Sequence, residues 1–419
     1  MAMPPDAEVV VLGGGVIGIA CAYELAVAGK RVTIVDRGEL GGGCSAGNCG
    51  YVCPSHVLPL AGPGALLSTA KTMLSRNSAL KVSPSFLLKN LGWFLGFARR
   101  CNARSMLESA VGIQALLNSS RRLYDELLCK ESIECEWDAR GLLFVFQSKK
   151  AHEHYAEVDA LLRDRFAMPA DRFDADALRA LEPALKPGAA AGGWLYRGDA
   201  QLRPDLLLKQ WRSVLERRGL RIVEQAEFRG FAPIHGEAQA LCTTRGDFRA
   251  KAFVVATGAW APMLNEHLGC TLPIVPGKGY SLTMPTPKTA PKYPMIFEEH
   301  RVAVSPFQSG YRIGSTMEFS GYDLTVNPKR LELLRSGAAN YLPDADAAGA
   351  QNWAGLRPMV YDGNPILDRS PAFGNVWIAA GHGMLGLSTA TGTGRLIAEL
   401  VTGAKPHIDP MPYRLSRFD

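Results

Sequence analysis

The first forty residues alternate between wholly apolar runs and a helical spacing of apolar positions. Residues 9–12 are four consecutive apolar side chains, a pattern typical of a strand buried on both faces of a parallel sheet. Residues 13–18 are rich in glycine, residues 19–28 have helical spacing, and Gly29 follows where a helix end favours a left-handed residue. Residues 31–36 are predicted to form the second strand, with Val32, Ile34 and Val35 as its apolar positions. This order predicts one βαβ unit.

The rest of the chain mixes helical and strand patterns. We predict helices within residues 58–128 and at 151–165, 206–218 and 391–401, and strands at 141–146, 220–223, 248–256 and 376–380, with an antiparallel sheet between 272 and 313. The fold class is therefore α/β combined with α+β. We assign residues 1–60, 190–265 and 350–419 to a discontinuous Rossmann-like domain. Residues 61–189 and 266–349 form an inserted antiparallel-sheet substrate domain, with a helical segment at 61–130.

Composition narrows the class of protein. A chain of 419 residues with 47% hydrophobic and 21% charged residues is globular. The net charge of +6 is too small and too dispersed to indicate a nucleic-acid partner. The nine cysteines contain no repeated C-x-x-C pair, and the spacing of Cys44, Cys49 and Cys53 fits no metal motif. We expect reduced thiols and no metal.

The sequence also bears on the location of the protein. No signal peptide or run of about 18 uncharged apolar residues is present, so we expect a cytoplasmic protein. Residues 86–100 combine an apolar helical face with basic flanks. This segment either packs on the protein core or makes a peripheral contact with the inner face of the membrane. The sequence does not indicate an oligomeric state.

The glycine-rich turn carries the first chemical motif. Gly13, Gly15 and Gly18 match G-x-G-x-x-G, which permits a tight turn, a close approach of a pyrophosphate and close helix–strand packing. The helix N-terminus that follows stabilises phosphate charge. Asp36 ends the second strand, where its carboxylate can accept hydrogen bonds from an adenosine ribose. The predicted dinucleotide contacts in this region also include Val16, Ile17 and Arg37.

Two later segments favour FAD over NAD. A buried strand leads into a small-residue turn that contains Thr257, Gly258 and Trp260. A second strand leads into a glycine-rich turn and a helix, and this turn consists of Gly381, His382, Gly383, Met384, Leu385 and Gly386. This turn resembles the C-terminal element of flavoproteins, in which backbone N–H groups lie against the flavin ring and stabilise its reduced form. No second G-x-G-x-x-G is present, so a separate NAD domain is not expected.

With residues 277–281 and 355–359, these segments resemble the D-amino-acid-oxidase superfamily. The chain is most similar to bacterial FAD-dependent D-amino acid dehydrogenases, including those that oxidise D-hydroxyproline. The matching segments span residues 9–400. The resemblance also places residues 45–50 beside the flavin, and the contacts we expect there are Cys44, Ser45, Asn48 and Gly50.

The resemblance assigns the substrate carboxylate to Arg357, whose guanidinium can donate two parallel hydrogen bonds. The alternative is a structural ion pair between Arg357 and Asp362 or Asp368. Three further residues are candidates for the catalytic site: Tyr280 for the carboxylate, His56 at the pocket mouth and Glu299 for the amine. For each of them, a structural role is the alternative.

The expected reaction is the oxidative deamination or dehydrogenation of a small D-amino or cyclic imino acid. The resemblance implies hydride transfer to flavin N5, with electrons passed to a non-NAD acceptor such as membrane quinone. No cysteine or histidine stands where related oxidases tether their flavin, so we expect non-covalent FAD. Two alternatives stay open: an oxygen-using oxidase of the glycine or sarcosine type, and a non-catalytic flavin subunit of a larger dehydrogenase.

Overall fold

A computed structural model describes residues 7–66, 80–344 and 349–419. In chain order its strands are β1 (Val9–Leu12), β2 (Val32–Val35), β3 (Tyr51–Val52), β4 (Leu80–Val82), β5 (Leu142–Phe146), β6 (Asp171–Asp174), β7 (Gly192–Tyr196), β8 (Ala200–Gln201), β9 (Arg221–Val223), β10 (Phe228–Ile234), β11 (Glu237–Thr243), β12 (Gly246–Arg249), β13 (Ala252–Val255), β14 (Ile274–Met284), β15 (Met295–Phe297), β16 (Val302–Phe307), β17 (Gly310–Phe319), β18 (Gln351–Val360), β19 (Ile366–Arg369) and β20 (Val376–Ala380).

The α-helices are α1 (Val16–Val27), α2 (Pro84–Lys89), α3 (Leu91–Arg100), α4 (Ala103–Glu131), α5 (Lys149–Phe166), α6 (Ala175–Leu181), α7 (Pro204–Arg217), α8 (Asn265–Leu268), α9 (Pro328–Ala339) and α10 (Ala390–Thr402). Short 3-10 helices cover Gly258–Leu264, Met411–Tyr413 and Leu415–Phe418. Within the predicted helical segment 61–130, residues 67–79 lie outside the described residues. None of the helices described here is both long and apolar enough to cross a membrane.

The predicted βαβ unit forms the centre of a six-stranded sheet with the order β19-β20-β13-β1-β2-β9. All neighbours are parallel except β19 and β20. Val9 and Val11 face a core that includes α1, α7 and α10, whereas Val10 and Leu12 face a second core beneath the antiparallel sheet β10-β11-β12. Burial on both faces explains the continuous apolar run. The Rossmann-like part of the predicted fold class is confirmed.

A nine-stranded sheet carries the second part of the fold, in the order β18-β14-β17-β16-β15-β5-β7-β6, with β4 beside β17. The predicted antiparallel arrangement is only partly right, because β5 pairs parallel with β15 and β4 pairs parallel with β17. Two domain boundaries also need correction. Strands β7 and β18 were assigned to the nucleotide domain, but both are hydrogen-bonded into this sheet.

The strand predicted at 248–256 is divided in two, because β12 and β13 belong to different sheets. A hydrophobic run cannot reveal this division, since both strands contribute apolar side chains to the same core. Between the two large sheets, residues 44–56 form a connection that begins with turns and that we call the linking segment. It contains β3, which pairs with β8.

Helices α2 and α3 pack one face against the body of the protein. Phe86, Trp93 and Phe94 make ring contacts with Phe319, and the Trp93 indole N–H donates to the carbonyls of Pro273 and Met359. The opposite face carries the leucine surface, which we define as Leu88, Leu91 and Leu95, exposed at 74%, 50% and 50%. The predicted amphipathic segment therefore has one packed apolar face and one exposed apolar face.

The packing of α10 on α1 generates a stability prediction. A Cβ at Gly394 would lie 2.5 Å from the carbonyl oxygen of Ala20, whereas a Cβ at Gly92 in α3 meets nothing within 4 Å. Gly394→Ala should lower the free energy of unfolding by about 1–3 kcal/mol, because overpacking forces the helices apart. Gly92→Ala should raise it by about 0.5–1 kcal/mol. Urea unfolding of both variants measures the contrast, and equal effects would contradict close α1–α10 packing.

Candidate functional site

The glycine-rich turn is built by close backbone approach. Gly13 has φ +112°, and a Cβ there would overlap the carbonyl oxygen of Ala256 on the neighbouring strand. A Cβ at Gly18 would overlap the carbonyl oxygen of Gly13. Only glycine permits both approaches. These two residues therefore hold the start of α1 against the carboxyl edge of the six-stranded sheet.

Gly15 differs from these two glycines because a side chain at this position would have room. A Cβ there would meet only the Ser45 hydroxyl oxygen, at 3.7 Å. The adjacent Val16 N–H donates to Ser45 Oγ over 3.1 Å. Gly15 itself, the residue before α1, has no side chain that could cap the helix. Gly15, Val16 and Ile17 thus begin a helix whose N-terminal backbone can meet an anion.

Asp36 lies at the end of β2, beside this turn. Its carboxylate accepts hydrogen bonds from Gly14 N at 2.5 Å and Gly38 N at 2.7 Å, which fixes its orientation. The Arg37 guanidinium lies 4.0 Å above the Trp260 ring. Arg37 and Trp260 therefore come together at the same edge, although they are more than two hundred positions apart in sequence.

Thr257 adds an observation that favours a polar ligand. Its hydroxyl oxygen is buried without a hydrogen-bond partner, and the following Gly258 has φ +57° with open space around it. Buried polar atoms nearly always find a partner in a complete site. The unpaired hydroxyl and the open side of Gly15 at the start of α1 both fit a dinucleotide at this edge.

The third predicted element forms a tight turn after β20. Gly381 and Gly383 have φ +81° and +54°, and Gly383 N donates to Pro358 O at 2.9 Å. The His382 ring lies in the core, 3.1 Å from Thr393 Oγ1, and burial lowers its pKa to about 3. It is therefore neutral and helps to hold the turn. The same turn contains Met384, Leu385 and Gly386.

Buried donors hold the linking segment along its length. Arg312 donates to the carbonyls of Ala46 and Asn48, at 2.9 and 2.5 Å. Ser281 and Ser305 donate to the carbonyls of Gly47 and Cys49. Ser388 donates to Tyr51 O and accepts from Cys53 N. Within the segment, Gly50 N donates to Asn48 Oδ1.

Sequence reasoning missed Arg312. This residue is buried in β17, and desolvation lowers its pKa. The only sequence signal was a charged residue inside a strand-like apolar run. Such a residue predicts an interior partner but does not identify it.

Arg357 lies on β18, on the sheet face shared with Gly277 and Gly279 of β14. Its guanidinium occupies the space that a Gly279 side chain would need, and Nη1 donates to Thr316 O at 2.8 Å. Ser315 and Thr316 have φ +108° and +50°, a strained bulge that directs this carbonyl toward Arg357. Close packing and a bulge therefore position the guanidinium.

The charge of Arg357 is not paired with a carboxylate among the described residues. Asp362 pairs with Arg417, and Asp368 accepts from Leu415 N, so neither acidic residue forms the alternative ion pair. Burial lowers the pKa of Arg357, yet the residue keeps some accessible surface. The charges of the neighbouring Cys44 and Cys49 would favour the cation, but burial raises the pKa of Cys44 to about 11.

Tyr280 and Glu299 lie away from Arg357. Tyr280 follows Gly279 on β14 and therefore points to the opposite face, where its hydroxyl donates to Glu318 over 2.6 Å. Glu299 accepts from Gln147 N and Ser148 N at the start of α5 and from Tyr341. These placements correct the two predictions and give both residues structural roles.

His56 ends the linking segment in a hydrogen-bonded network. Its Nδ1 lies 3.3 Å from Ser55 Oγ, and Ser55 donates to Asp199 through both its N–H and its hydroxyl. Cys53, His56 and Asp199 bring ligand-type atoms within 4.8 Å of one another. Because both carboxylate oxygens of Asp199 accept hydrogen bonds from Ser55, we describe this group as a hydrogen-bonded network.

The fold and the site define a dinucleotide-binding protein with a largely buried guanidinium, that of Arg357, in its nine-stranded sheet. Residues 8–400 match the family model described as FAD dependent oxidoreductase. A D-amino acid dehydrogenase of Methylobacterium nodulans is 34% identical, covering 96% of each chain, and one of Granulibacter bethesdensis is 30% identical, covering 98% of this chain and 99% of the relative.

Solved structures are similar over the whole fold. A glycine oxidase from Geobacillus kaustophilus superposes with a TM-score of 0.76 at 23% identity, covering 99% of both chains. An L-proline dehydrogenase from P. horikoshii gives 0.77 at 19% identity, covering 100% of both. The chain belongs to the FAD dependent oxidoreductase family. It is thus an oxidoreductase that uses FAD, and the dinucleotide edge described above fits that cofactor.

The open side of Gly15 generates a binding prediction. Gly15→Val places a branched side chain where the protein itself has room, so the fold should survive while a pyrophosphate is obstructed. The purified variant should retain the far-ultraviolet circular dichroism of the wild type and lose its visible flavin absorbance. Gly18→Val should instead fail to fold, because it meets the Gly13 carbonyl. A folded Gly15→Val protein with full flavin content would contradict the assignment.

Proposed function

We propose that the chain is a dehydrogenase for a small D-amino or cyclic imino acid, of the D-hydroxyproline or D-amino acid type. The observation that carries the proposal is the buried, unpaired guanidinium of Arg357 beside the Gly381–Gly386 turn. A buried cation is costly without an anion, so such a site is completed by a ligand carboxylate. The D configuration rests on the relatives named D-amino acid dehydrogenase.

The geometry around Arg357 favours carboxylate binding over structural pairing. Nη1 is held by Thr316 O, which leaves donors on the guanidinium for a carboxylate. Gly277 and Gly279 have no side chains, so Met359 and Met317 pack at the first position and the Arg357 guanidinium packs directly on the backbone at the second. Both neighbouring thiols have raised pKa values and are neutral, so neither competes for the cation.

Catalysis then depends on positioning. The carboxylate binds Arg357, which orients the Cα–H bond of the substrate toward the turn that follows β20. Non-covalent FAD supplies the hydride-accepting chemistry when it is bound. The neutral, buried side chain of His382 excludes water from the core side of this turn. We keep a non-NAD electron acceptor as part of the proposal.

Anaerobic titration tests the proposed function. Purified protein should lose its flavin absorbance on addition of D-proline, D-hydroxyproline or another small D-amino acid, and respond weakly to the L isomers. Formation of hydrogen peroxide in air at the rate of substrate oxidation would favour a glycine- or sarcosine-type oxidase. A flavin that no amino acid reduces would indicate a non-catalytic subunit and would contradict the proposal.

A pair of substitutions tests the carboxylate site. Truncating a buried hydrogen-bonded charge costs roughly 2–5 kcal/mol, so Arg357→Ala should lower kcat/KM by on the order of 10²-fold or more with flavin retained. Arg357→Lys keeps the charge without the planar donors, and its kcat/KM should fall in between.

Tyr280→Phe is the matched control. It should lower stability by about 1–3 kcal/mol through the lost bond to Glu318, with KM within a few-fold of wild type. If Tyr280→Phe impaired kcat/KM more than Arg357→Ala does, the substrate carboxylate would lie near Tyr280 instead.

For the electron acceptor we propose membrane quinone, reached by peripheral binding through the leucine surface. Trp93 and Phe97 stack on each other and face the protein body, so they do not form the contact. Leu88, Leu91 and Leu95 are exposed on the same pair of helices as the exposed Lys89 and Arg99. Apolar side chains flanked by cations suit the interface of an anionic bilayer.

Vesicle binding tests this contact. Wild-type protein should sediment with vesicles that contain phosphatidylglycerol, and less with neutral vesicles. A Leu88→Gln/Leu91→Gln/Leu95→Gln variant should lose at least about tenfold in affinity, since each buried leucine contributes roughly 1.5–3 kcal/mol. Ile234→Gln removes an equally exposed apolar side chain elsewhere and should bind like wild type. Equal binding by all three proteins, with flavin retained, would contradict the membrane contact.

A further inference from the structure

At the end of the linking segment, Ser55, His56 and Asp199 form a hydrogen-bonded network whose arrangement allows proton transfer. Asp199 lies between β7 and β8 and is only 1% exposed. Its Oδ1 accepts from Ser55 N at 3.0 Å and its Oδ2 from Ser55 Oγ at 2.5 Å. On its other side, Ser55 Oγ lies 3.3 Å from His56 Nδ1. The three side chains form a line from a buried carboxylate to an imidazole.

The single proton of the Ser55 hydroxyl couples the two ends of this line. When Asp199 is ionised, Ser55 Oγ donates to the carboxylate and accepts from His56, so the imidazole carries its proton on Nδ1 and Nε2 is an acceptor. When Asp199 is protonated, the carboxyl donates to Ser55, Ser55 donates to Nδ1, and Nε2 carries the proton. The imidazole is neutral in both states.

His56 is placed to contact a ligand. Its ring packs on Phe144 at 5.6 Å, keeps partial exposure, and has a pKa that burial lowers to about 4. It is therefore a neutral group with part of its surface accessible. The linking segment runs from Cys44 and Cys49, whose neutral thiols lie close to Arg357, to His56. Its middle is bonded through Ser388 to the chain just after the Gly381–Gly386 turn.

We propose that His56, Ser55 and Asp199 form a proton relay that removes one proton from the ammonium group of the substrate before Cα–H oxidation. The ammonium N–H bond breaks as Nε2 of His56 gains that proton. The Nδ1 proton passes to Ser55 Oγ, and the Ser55 hydroxyl proton passes to Asp199 Oδ2. The products are a neutral amine and a neutral carboxylic acid, with no net oxidation. This role rests on the proposed amino acid oxidation.

The relay avoids a buried imidazolium ion. His56 alone is a poor base because burial disfavours its cation, whereas burial raises the pKa of Asp199 to about 7 and makes it a proton acceptor at neutral pH. Asp199 accepts a proton only when it is ionised, that is, above its pKa. The relay therefore becomes active as the pH rises through about 7.

The groups around Asp199 do not replace it in this role. The titratable and charged groups that face it from neighbouring elements are Arg121 of α4, Tyr155 of α5, Tyr196 of β7, and Cys53 and His56 of the linking segment. Glu298, after β15, affects the pKa values of both tyrosines. Burial raises the pKa values of the tyrosines and of Cys53, so these groups remain neutral. Burial also raises the pKa of the nearby Glu298, which therefore supplies a control.

The pH profile of kcat/KM tests the relay in the flavin-loaded enzyme. For the wild type it should rise to a plateau with a midpoint near the Asp199 pKa of about 7. Asp199→Asn and Ser55→Ala should lose on the order of 10²-fold at neutral pH, the usual contribution of a positioned base. Both should recover in alkaline buffer, where the substrate amine loses its proton unaided. Glu298→Gln and Cys53→Ala should keep the wild-type midpoint. Variants that are equally impaired at every pH would overturn the relay.

Histidine NMR separates failure of the relay from failure of the proposed function. Isotope labelling of the eight histidines, with His56→Gln as the assignment control, reports which ring nitrogen of His56 carries the proton. In the wild-type holoenzyme that proton should move from Nε2 to Nδ1 as pH rises through the Asp199 transition. In Asp199→Asn it should stay on Nε2. A tautomer that does not change with pH overturns the relay, even if amino acids reduce the flavin. A switching tautomer supports it, even if the substrate is of another class.

Discussion

A buried carbonyl oxygen must be hydrogen-bonded, and this requirement determines the course of the linking segment between the two large sheets. Arg312, Ser281 and Ser305 belong to strands of the nine-stranded sheet, and each donates to a carbonyl of residues 46–49. Ser388 makes the corresponding bond from the nucleotide side. Because the segment is bonded from both sides, it fixes Ser45 against α1 and His56 against Asp199.

The electrostatics of the cavity follow from this arrangement. The linking segment brings two thiols close to Arg357, and burial keeps both neutral. His382 is neutral for the same reason, as is His56. Arg357 is therefore a cation among neutral groups, and within the part of the chain that the structure describes its hydrogen-bond acceptor is the backbone carbonyl of Thr316. A substrate carboxylate would meet a positive charge that is neither paired nor well screened by solvent, a condition in which charge–charge attraction is strongest.

Glycine allows the sheets and the segment to approach this closely. The Trp353 ring occupies the space that side chains at Gly47 and Gly355 would need, and Cys49 packs where a Gly314 side chain would lie. These glycines have no Cβ, so aromatic, sulfur and guanidinium groups lie directly on the backbone. The same property operates at Gly13 and Gly18 in the nucleotide turn. Both halves of the site thus depend on the absence of side chains at particular positions.

Local patterns in the sequence determined the βαβ unit, the dinucleotide motif and the family resemblance, because each depends on residues close together along the chain. Arg357 was also identified from a short motif, although only the structure shows that Asp362 and Asp368 are engaged elsewhere. Strand alternation places Tyr280 on the face opposite Arg357, but a prediction made without strand pairing could not use that rule. The roles of Arg312, Ser55 and Asp199 were decided by tertiary structure alone. Their partners are 144 to 266 positions away in sequence, and no local spacing encodes a hydrogen bond made across two sheets.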